Sequence, residues 1–275
     1  MFPRRDAGKP GRTREMMQPT EGRHPADMTK RGAKWLLKSL LQRFGLDLIR
    51  TRSVANRPLN LLELAVTARL VAPSPLFFVQ IGANDGVRSD PLRPLVLQHQ
   101  LSGLLIEPLP DYFEALVRNY DGQQGLIFEQ MAVCDKDGTL ELARFKSDAP
   151  IHDEMHGLAS SDTERMSRFA REKGLADHLE TVTVPCARLS TLLHKHDIHQ
   201  VDLLQIDVEG HEYIILRDMF DEGIYPGIIH YEFLHLSRGD RIAAEQLLHD
   251  HGYAYGYATI DVLAIREVPH ESVPQ

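Results

Sequence analysis

From residue 76 to the C-terminal end, short apolar runs alternate with longer segments in which apolar residues recur at helical spacing. A short apolar run is typical of a buried strand, and a longer periodic segment is typical of a helix. Strands that alternate with helices form a mainly parallel sheet with helices on both faces. The predicted strands are 77–81, 103–106, 126–131, 181–185, 201–206 and 228–231, and the predicted helices are 89–100, 111–120, 189–196, 212–220 and 241–251.

The end of the chain departs from this alternation. Only four residues separate the strand-like runs 253–257 and 262–266, which predicts an antiparallel hairpin at the edge of the sheet. In the middle of the chain, residues 139–145 alternate in polarity and are predicted to pair with 132–134 across an Asp137-Gly138 turn. Residues 146–178 are interpreted as an insertion that contains one helix.

Before residue 76 the sequence does not show this alternation of strand-like and helix-like segments. Residues 1–28 are rich in Pro, Gly and Arg without periodicity, which predicts a disordered tail. Residues 29–75 are predicted to form an N-terminal helical extension, and 76–275 the α/β domain. Between Trp35 and Phe44, apolar residues share one helical stripe that basic residues flank. Such a helix docks on a surface, so residues 30–50 are predicted to contact either an anionic membrane or the chain's own domain.

Composition narrows the functional classes. The net charge is −8, although residues 1–60 hold 14 Lys and Arg against 5 Asp and Glu. The acidic remainder argues against a nucleic-acid partner, because phosphates require a basic footprint. No apolar run reaches the ~20 residues of a membrane span, and the start of the chain lacks the apolar core of a secretory signal. We therefore predict a cytoplasmic protein, with peripheral contact at the inner membrane face as one option.

A glycine-containing turn follows the first predicted strand. In an open parallel sheet, ligands bind beyond the carboxyl ends of the strands. The segment Gln80-Ile81-Gly82-Ala83-Asn84-Asp85-Gly86 brings small residues to that edge, where the backbone can approach a ligand. Glu107, followed by Pro108, ends the second strand 21 residues beyond Gly86. An acid at this place can accept hydrogen bonds from a ribose diol, so the two segments together favour a nucleoside site.

Acidic side chains follow two later strands. Asp207, Glu209 and His211 crowd the end of the strongest strand, and Glu232 ends the next one. An unpaired charge at the end of a buried strand is costly, which favours a functional role for Asp207. His230 is interpreted as a structural imidazole. The spacing His230, Glu232, His235 matches no zinc signature, so no metal site is predicted.

These segments, in this order, resemble the FkbM family of methyltransferases. The resemblance covers residues 76–266 and rests on FVQIGANDG, LLIEPLPDYFEAL, FEQMAVCDKDGTLEL, DLLQIDVEGHEYIIL and IHYEF. It implies the Rossmann-like class I methyltransferase fold, a seven-stranded, mostly parallel sheet with a C-terminal antiparallel hairpin. It also implies S-adenosylmethionine as cofactor and a sugar hydroxyl, in a small molecule or glycan, as methyl acceptor. One departure is Gln80, where many family members carry Asp.

The resemblance assigns roles to the residues at the strand ends. Residues 80–86 would cradle the methionine part of the cofactor and Glu107, with Pro108, the ribose. Ala132 and Val133 would lie near the adenine, and Asp207 would border the methyl-transfer centre.

Three questions stay open at this point. A hydroxyl acceptor requires a proton acceptor, and the candidates are Asp207, Glu209, His211 and Glu232. A nicotinamide-dependent dehydrogenase shares the glycine turn and the acid, but the third glycine of its motif is absent. A non-catalytic binding module could keep the same fold. The sequence fixes neither the acceptor nor the oligomeric state.

Overall fold

The computed structural model describes residues 60–72, 74–152, 155 and 157–266. The predictions for the tail 1–28 and for the amphipathic segment 30–50 lie outside these residues.

In chain order the elements are α1 (Leu61–Arg69), β1 (Phe77–Ile81), α2 (Arg93–His99), β2 (Ser102–Ile106), α3 (Pro110–Asn119), β3 (Leu126–Glu129), β4 (Ala132–Val133), β5 (Gly138–Phe145), β6 (Ala159–Ser160), α4 (Thr163–Glu172), β7 (Leu179–Ala187), α5 (Leu189–Lys195), β8 (Leu203–Ile206), α6 (Glu212–Asp221), β9 (Ile228–Glu232), α7 (Arg238–Asp250), β10 (Tyr253–Ala258) and β11 (Asp261–Arg266).

The central sheet has seven strands in the order β3-β2-β1-β8-β9-β11-β10. Its first five strands in that order are parallel, and β11 is antiparallel to both of its neighbours. This confirms the predicted class I sheet and its terminal hairpin. The chain runs outward from β1 through β2 to β3, and then outward on the other side from β8 to β9. The strand order therefore reverses between β1 and β8, which is where such sheets bind ligands.

Both faces of the sheet are buried because strand residues alternate between two apolar clusters. On β1, Val79 and Ile81 belong to the cluster that also contains α5 and α6, whereas Phe78 belongs to the cluster on the opposite face. Leu62 and Val66 of α1 pack into this second cluster.

A second sheet of four strands has the order β4-β7-β5-β6. The predicted pairing of 139–145 with 132–134 is wrong, because β4 and β5 each pair with β7 instead. The physical reason is strand length: β7 pairs with all eight residues of β5, whereas β4 has only two residues to offer. The predicted insertion supplies β6, an edge strand of this sheet, and α4, which packs beside the sheet.

Among the described residues, none of the helices combines the length and the apolar character needed to cross a membrane.

Candidate active site

A cavity of about 330 Å³ lies beyond the carboxyl ends of β1, β2, β8 and β9. Most of the residues singled out in the sequence line it. They are Gln80, Gly82, Ala83, Asn84, Glu107, Pro108, Ala132, Val133, Asp207, Glu209, His211 and Glu232. Asp85 and Gly86 do not line the cavity.

The glycine turn after β1 allows two strand ends to touch. Gly82 has a φ of 78°, and a Cβ atom there would lie 1.9 Å from the Asp207 carbonyl oxygen. Asp85 accepts hydrogen bonds from the backbone N–H groups of Val87 and Arg88, at 2.9 and 2.8 Å. Gly86 leaves room for the Tyr120 ring, which a Cβ would approach to 2.7 Å. Asp85 and Gly86 thus stabilise the conformation of the turn after β1 without lining the cavity.

Glu107 is buried and holds this loop in place. One carboxylate oxygen accepts the Asn84 N–H at 2.9 Å, and the other accepts the Leu109 N–H at 3.0 Å. Burial raises the pKa of Glu107 to about 7, although these hydrogen bonds oppose the shift. Each carboxylate oxygen keeps a further lone pair, so Glu107 can still accept hydrogen bonds from a ligand.

Gln80 points its amide nitrogen at Asp90, with Nε2 3.0 Å from Oδ1. Its carbonyl oxygen is buried and has no hydrogen-bond partner among the described residues. Sequence reasoning missed Asp90, which also lines the cavity. The sequence feature that could have identified Asp90 is an acidic residue just before the proline-containing start of α2.

Asp207 and Glu232 emerge side by side, because Ile206 pairs with Tyr231 in the parallel register of β8 and β9. Their carboxyl groups lie close enough to interact when one of them carries a proton. Asp207 exposes part of its side chain to the cavity, yet the surrounding protein desolvates the carboxyl group and raises its pKa. Desolvation and the charge of Asp207 raise the pKa of Glu232 to about 8. Two acids this close share one proton near neutral pH.

Glu209 lies beside this pair and is already paired. It has a φ of 60°, and its Oε2 lies 3.1 Å from Nη2 of Arg165 and 3.0 Å from Nε2 of His235. Arg165 also contacts Nδ1 of His235 and donates to the Ser160 hydroxyl at 3.0 Å. Sequence reasoning missed Arg165, because it lies within the insertion and does not follow a strand of the central sheet.

Ligand atoms of Glu209, Glu232 and His235 lie within 4.8 Å of one another, a grouping that could hold a metal ion. The Arg165 guanidinium already supplies a positive charge to Glu209. The sequence analysis predicts no metal site, and this stays a prediction.

The two histidines of these segments differ in environment. His211 lines the cavity with Nδ1 3.3 Å from the Ser161 hydroxyl, and burial lowers its pKa. His230 lies behind the cavity with Nδ1 2.6 Å from Gln205 Oε1, and burial lowers its pKa to about 4. Both are therefore neutral imidazoles at neutral pH.

The insertion closes one side of the cavity. Gly157, Leu158, Ala159 and Ser161 line it. A Cβ on Gly157 would lie 2.2 Å from Asn84 Nδ2, so this segment packs directly on the glycine turn.

Comparison with known proteins gives one family match and several similar solved structures. The methyltransferase FkbM domain model matches residues 80–255, well over half of the chain. No curated protein sequence matches the chain. Among solved structures, the fold is similar to the methyltransferase FkbM from Methylobacillus flagellatus KT, at 12% identity and a TM-score of 0.42. That match covers 70% of this chain and 43% of that chain.

Two further solved structures are similar to this chain. The precorrin-6y C5,15-methyltransferase from Geobacter metallireducens GS-15 has 12% identity and a TM-score of 0.38, over 79% of this chain and 91% of that one. The human methyltransferase 10 domain containing protein has 12% identity and a TM-score of 0.38, over 86% and 96%. At these identities the similarity concerns the fold alone. The sheet order, the cavity at its switch point and the domain match lead to one conclusion: this chain belongs to the FkbM family of methyltransferases.

Proposed function

We propose that this protein is an S-adenosylmethionine-dependent O-methyltransferase that acts on a sugar hydroxyl of a glycan, glycolipid or natural product. One observation carries the proposal. A single cavity joins a glycine turn and a buried acid, Glu107, to the proton-sharing pair Asp207 and Glu232.

The residues present fit the proposed cofactor. Gly82 lines the cavity and lets the turn pack against the Asp207 backbone, and Glu107 offers acceptor lone pairs to a ribose diol. The unpartnered Gln80 carbonyl offers an acceptor to the methionine part. A volume of about 330 Å³ is within the range of small-ligand sites. The bound cofactor would supply an electrophilic methyl group on sulfur.

The acidic pair supplies a proton acceptor for the hydroxyl. Near neutral pH one member is ionised and can accept the hydroxyl proton, while the other keeps its own proton. Glu209 is less suited to this role, because its charge is neutralised by Arg165. His211 is neutral and lines the cavity, so it remains a second candidate base.

The walls of the cavity favour a neutral, oxygen-rich acceptor. Carboxylate oxygens at the inner end accept hydrogen bonds from hydroxyl groups, and Leu158 and Ile260 add apolar contacts. An additional anionic group on the acceptor would be repelled by the carboxylates. The sugar itself is proposed from the family resemblance.

The proposal is tested in two steps. Calorimetry should detect binding of S-adenosylmethionine and S-adenosylhomocysteine, and not of NAD. Labelled methyl groups should then pass from the cofactor to a pool of glycan acceptors and be recovered in O-methyl sugars by mass spectrometry. Binding of NAD alone would point to the dehydrogenase alternative. Cofactor binding without transfer to any hydroxyl acceptor would contradict the proposed reaction.

A further inference from the structure

Asp90 is bound in a way that fixes it as a hydrogen-bond acceptor. Its Oδ1 accepts the backbone N–H groups of Leu92 and Arg93, at 2.8 and 3.1 Å. Its Oδ2 accepts the Tyr120 hydroxyl at 3.2 Å. A backbone N–H can only donate. Oδ1 therefore carries no proton and acts as an acceptor toward its other neighbours as well.

The amide of Gln80 is therefore held in one orientation. Nε2 donates to Asp90 Oδ1 at 3.0 Å. A flipped amide would place two acceptor oxygens against each other, so the network determines which end of the amide faces Asp90. The other end, the carbonyl oxygen, is buried without a partner among the described residues, although Gln80 lines the cavity.

A buried acceptor without a partner is unfavourable unless a donor reaches it. The methionine part of the proposed cofactor carries two charged groups. Its ammonium group donates hydrogen bonds, and its carboxylate only accepts them. A carbonyl oxygen can therefore bind the ammonium group and would reject the carboxylate.

We propose that Asp90 is a positioning residue, which orients the Gln80 amide so that its carbonyl oxygen accepts a hydrogen bond from the ammonium group of S-adenosylmethionine. This inference rests on the proposed cofactor. In this chain the negative charge lies on Asp90, behind the neutral amide of Gln80. Four donors stabilise that charge, and burial raises the pKa of Asp90.

The test compares two ligands by calorimetry: S-adenosylmethionine and 5′-methylthioadenosine, which keeps the nucleoside but lacks the amino-acid group. Gln80→Leu should weaken S-adenosylmethionine binding about tenfold or more, the usual loss for a hydrogen bond to a charged group. It should leave methylthioadenosine binding unchanged. Gln124→Leu and Asp121→Ala change exposed positions and serve as controls.

Variants of Asp90 separate orientation from charge. Asp90→Ala frees the amide and should weaken S-adenosylmethionine binding selectively. Asp90→Asn keeps an acceptor oxygen at Oδ1 and should restore most of the affinity. The double variant Gln80→Leu/Asp90→Ala should lose no more than Gln80→Leu alone, because Asp90 acts through Gln80.

Several results would overturn the inference. They are unchanged S-adenosylmethionine affinity in Gln80→Leu, an equal loss for both ligands in a variant with normal thermal unfolding, and an Asp90→Asn variant as weak as Asp90→Ala. Gln80→Met replaces Gln80→Leu if the latter does not fold. A wild-type protein that binds neither ligand contradicts the proposed function itself, and the inference falls with it.

Discussion

Glu107 holds the glycine turn and is proposed to hold the ribose, so its two roles must be separated. Glu107→Ala is expected to weaken S-adenosylmethionine binding by about 1–3 kcal/mol, the cost of a lost charge-assisted hydrogen bond. Calorimetry with the 2′-deoxy analogue distinguishes the roles. If the ribose is bound, the analogue binds wild type more weakly than the parent cofactor does, and this difference disappears in Glu107→Ala. Glu114→Ala, an exposed change on α3, is the control.

An unchanged affinity of folded Glu107→Ala for the parent cofactor would remove Glu107 from the site. A loss that is equal for the parent and the 2′-deoxy analogue would restrict it to supporting the loop.

The pair Asp207 and Glu232 should act in turnover and not in cofactor binding. Asp207→Asn and Glu232→Gln are each expected to lower turnover by about 10²–10⁴-fold, the usual contribution of a general base, with cofactor affinity retained. In Asp207→Asn the pKa of Glu232 should fall below about 8, because the charge of Asp207 helps to raise it. Any remaining activity should then depend on the ionisation of Glu232 alone, so the acid limb of the pH–rate profile should lie below about pH 8.

Asp221→Asn, an exposed change, should leave the profile unaltered. Near-normal turnover in both single variants would exclude the pair from the mechanism. Activity that disappears with EDTA and returns with Mg²⁺ would contradict the metal-free prediction.

At the residue scale, the sequence predicted those side chains whose position follows from strand ends. Glu107 and Asp207 each stand directly after a buried strand and Glu232 ends one, and parallel pairing brings such residues to one edge. Asp90 and Arg165 could not be found in this way. Asp90 reaches the cavity through a loop, and Arg165 reaches it through a helix of the insertion, so their contacts depend on tertiary packing that no local pattern encodes.

At the scale of elements, Arg165 connects the insertion to the loop after β8. Arg165→Met keeps the length of the side chain but breaks its ion pair with Glu209 and its contact with His235. Backbone amides of residues 157–172 are therefore expected to exchange hydrogen faster, because local opening no longer breaks these contacts. Cofactor affinity should fall as well, since part of this segment lines the cavity.

Arg168→Met, an exposed change on the same helix, should alter neither quantity. Equal exchange rates in wild type and Arg165→Met would show that apolar packing alone holds the insertion.

Hydrophobic periodicity predicted which helices and strands exist more reliably than it predicted which strands pair. The βα units and the terminal hairpin are present as predicted, and the hairpin link is shorter because β10 and β11 each extend by one residue, to Ala258 and Asp261. The pairing of β5 was wrong, because the choice between β4 and β7 depends on a contact across a long insertion. Alternation identifies a strand but not its neighbour.

At the scale of the whole chain, the basic amphipathic segment 30–50 predicts surface docking. If the surface is an anionic membrane, the full chain should float with vesicles that contain anionic lipid, and not with neutral ones. Lys34→Glu/Lys38→Glu should weaken flotation by reversing charges beside the apolar stripe. A full chain that stays unbound to anionic vesicles would leave docking on its own domain as the interpretation.

Buried carboxyl groups should make the free energy of unfolding fall as pH rises from about 6.5 to 8. Burial raises the pKa of Glu107 and Glu212 to about 7, and that of Glu232 to about 8. In this pH range each group therefore keeps a proton in the folded chain that it has already lost in the unfolded chain. The folded state loses stability as pH rises from the ordinary pKa of 4.5 to the raised pKa. The lowered pKa values of His211 and His230 act in the opposite direction, but this contribution is smaller over this range and is nearly complete by about pH 7.5, one unit above the ordinary pKa of histidine.

The expected net loss over this range is roughly 1–3 kcal/mol, measured by urea unfolding at a series of pH values. Glu232→Gln should reduce the slope, because it removes the group with the highest pKa of the three. Glu114→Gln, an exposed change, should leave the slope unaltered. A free energy of unfolding that rises from pH 6.5 to 8 would show that these carboxyl groups are already ionised in the folded protein, and the proton shared by Asp207 and Glu232 would then be absent as well.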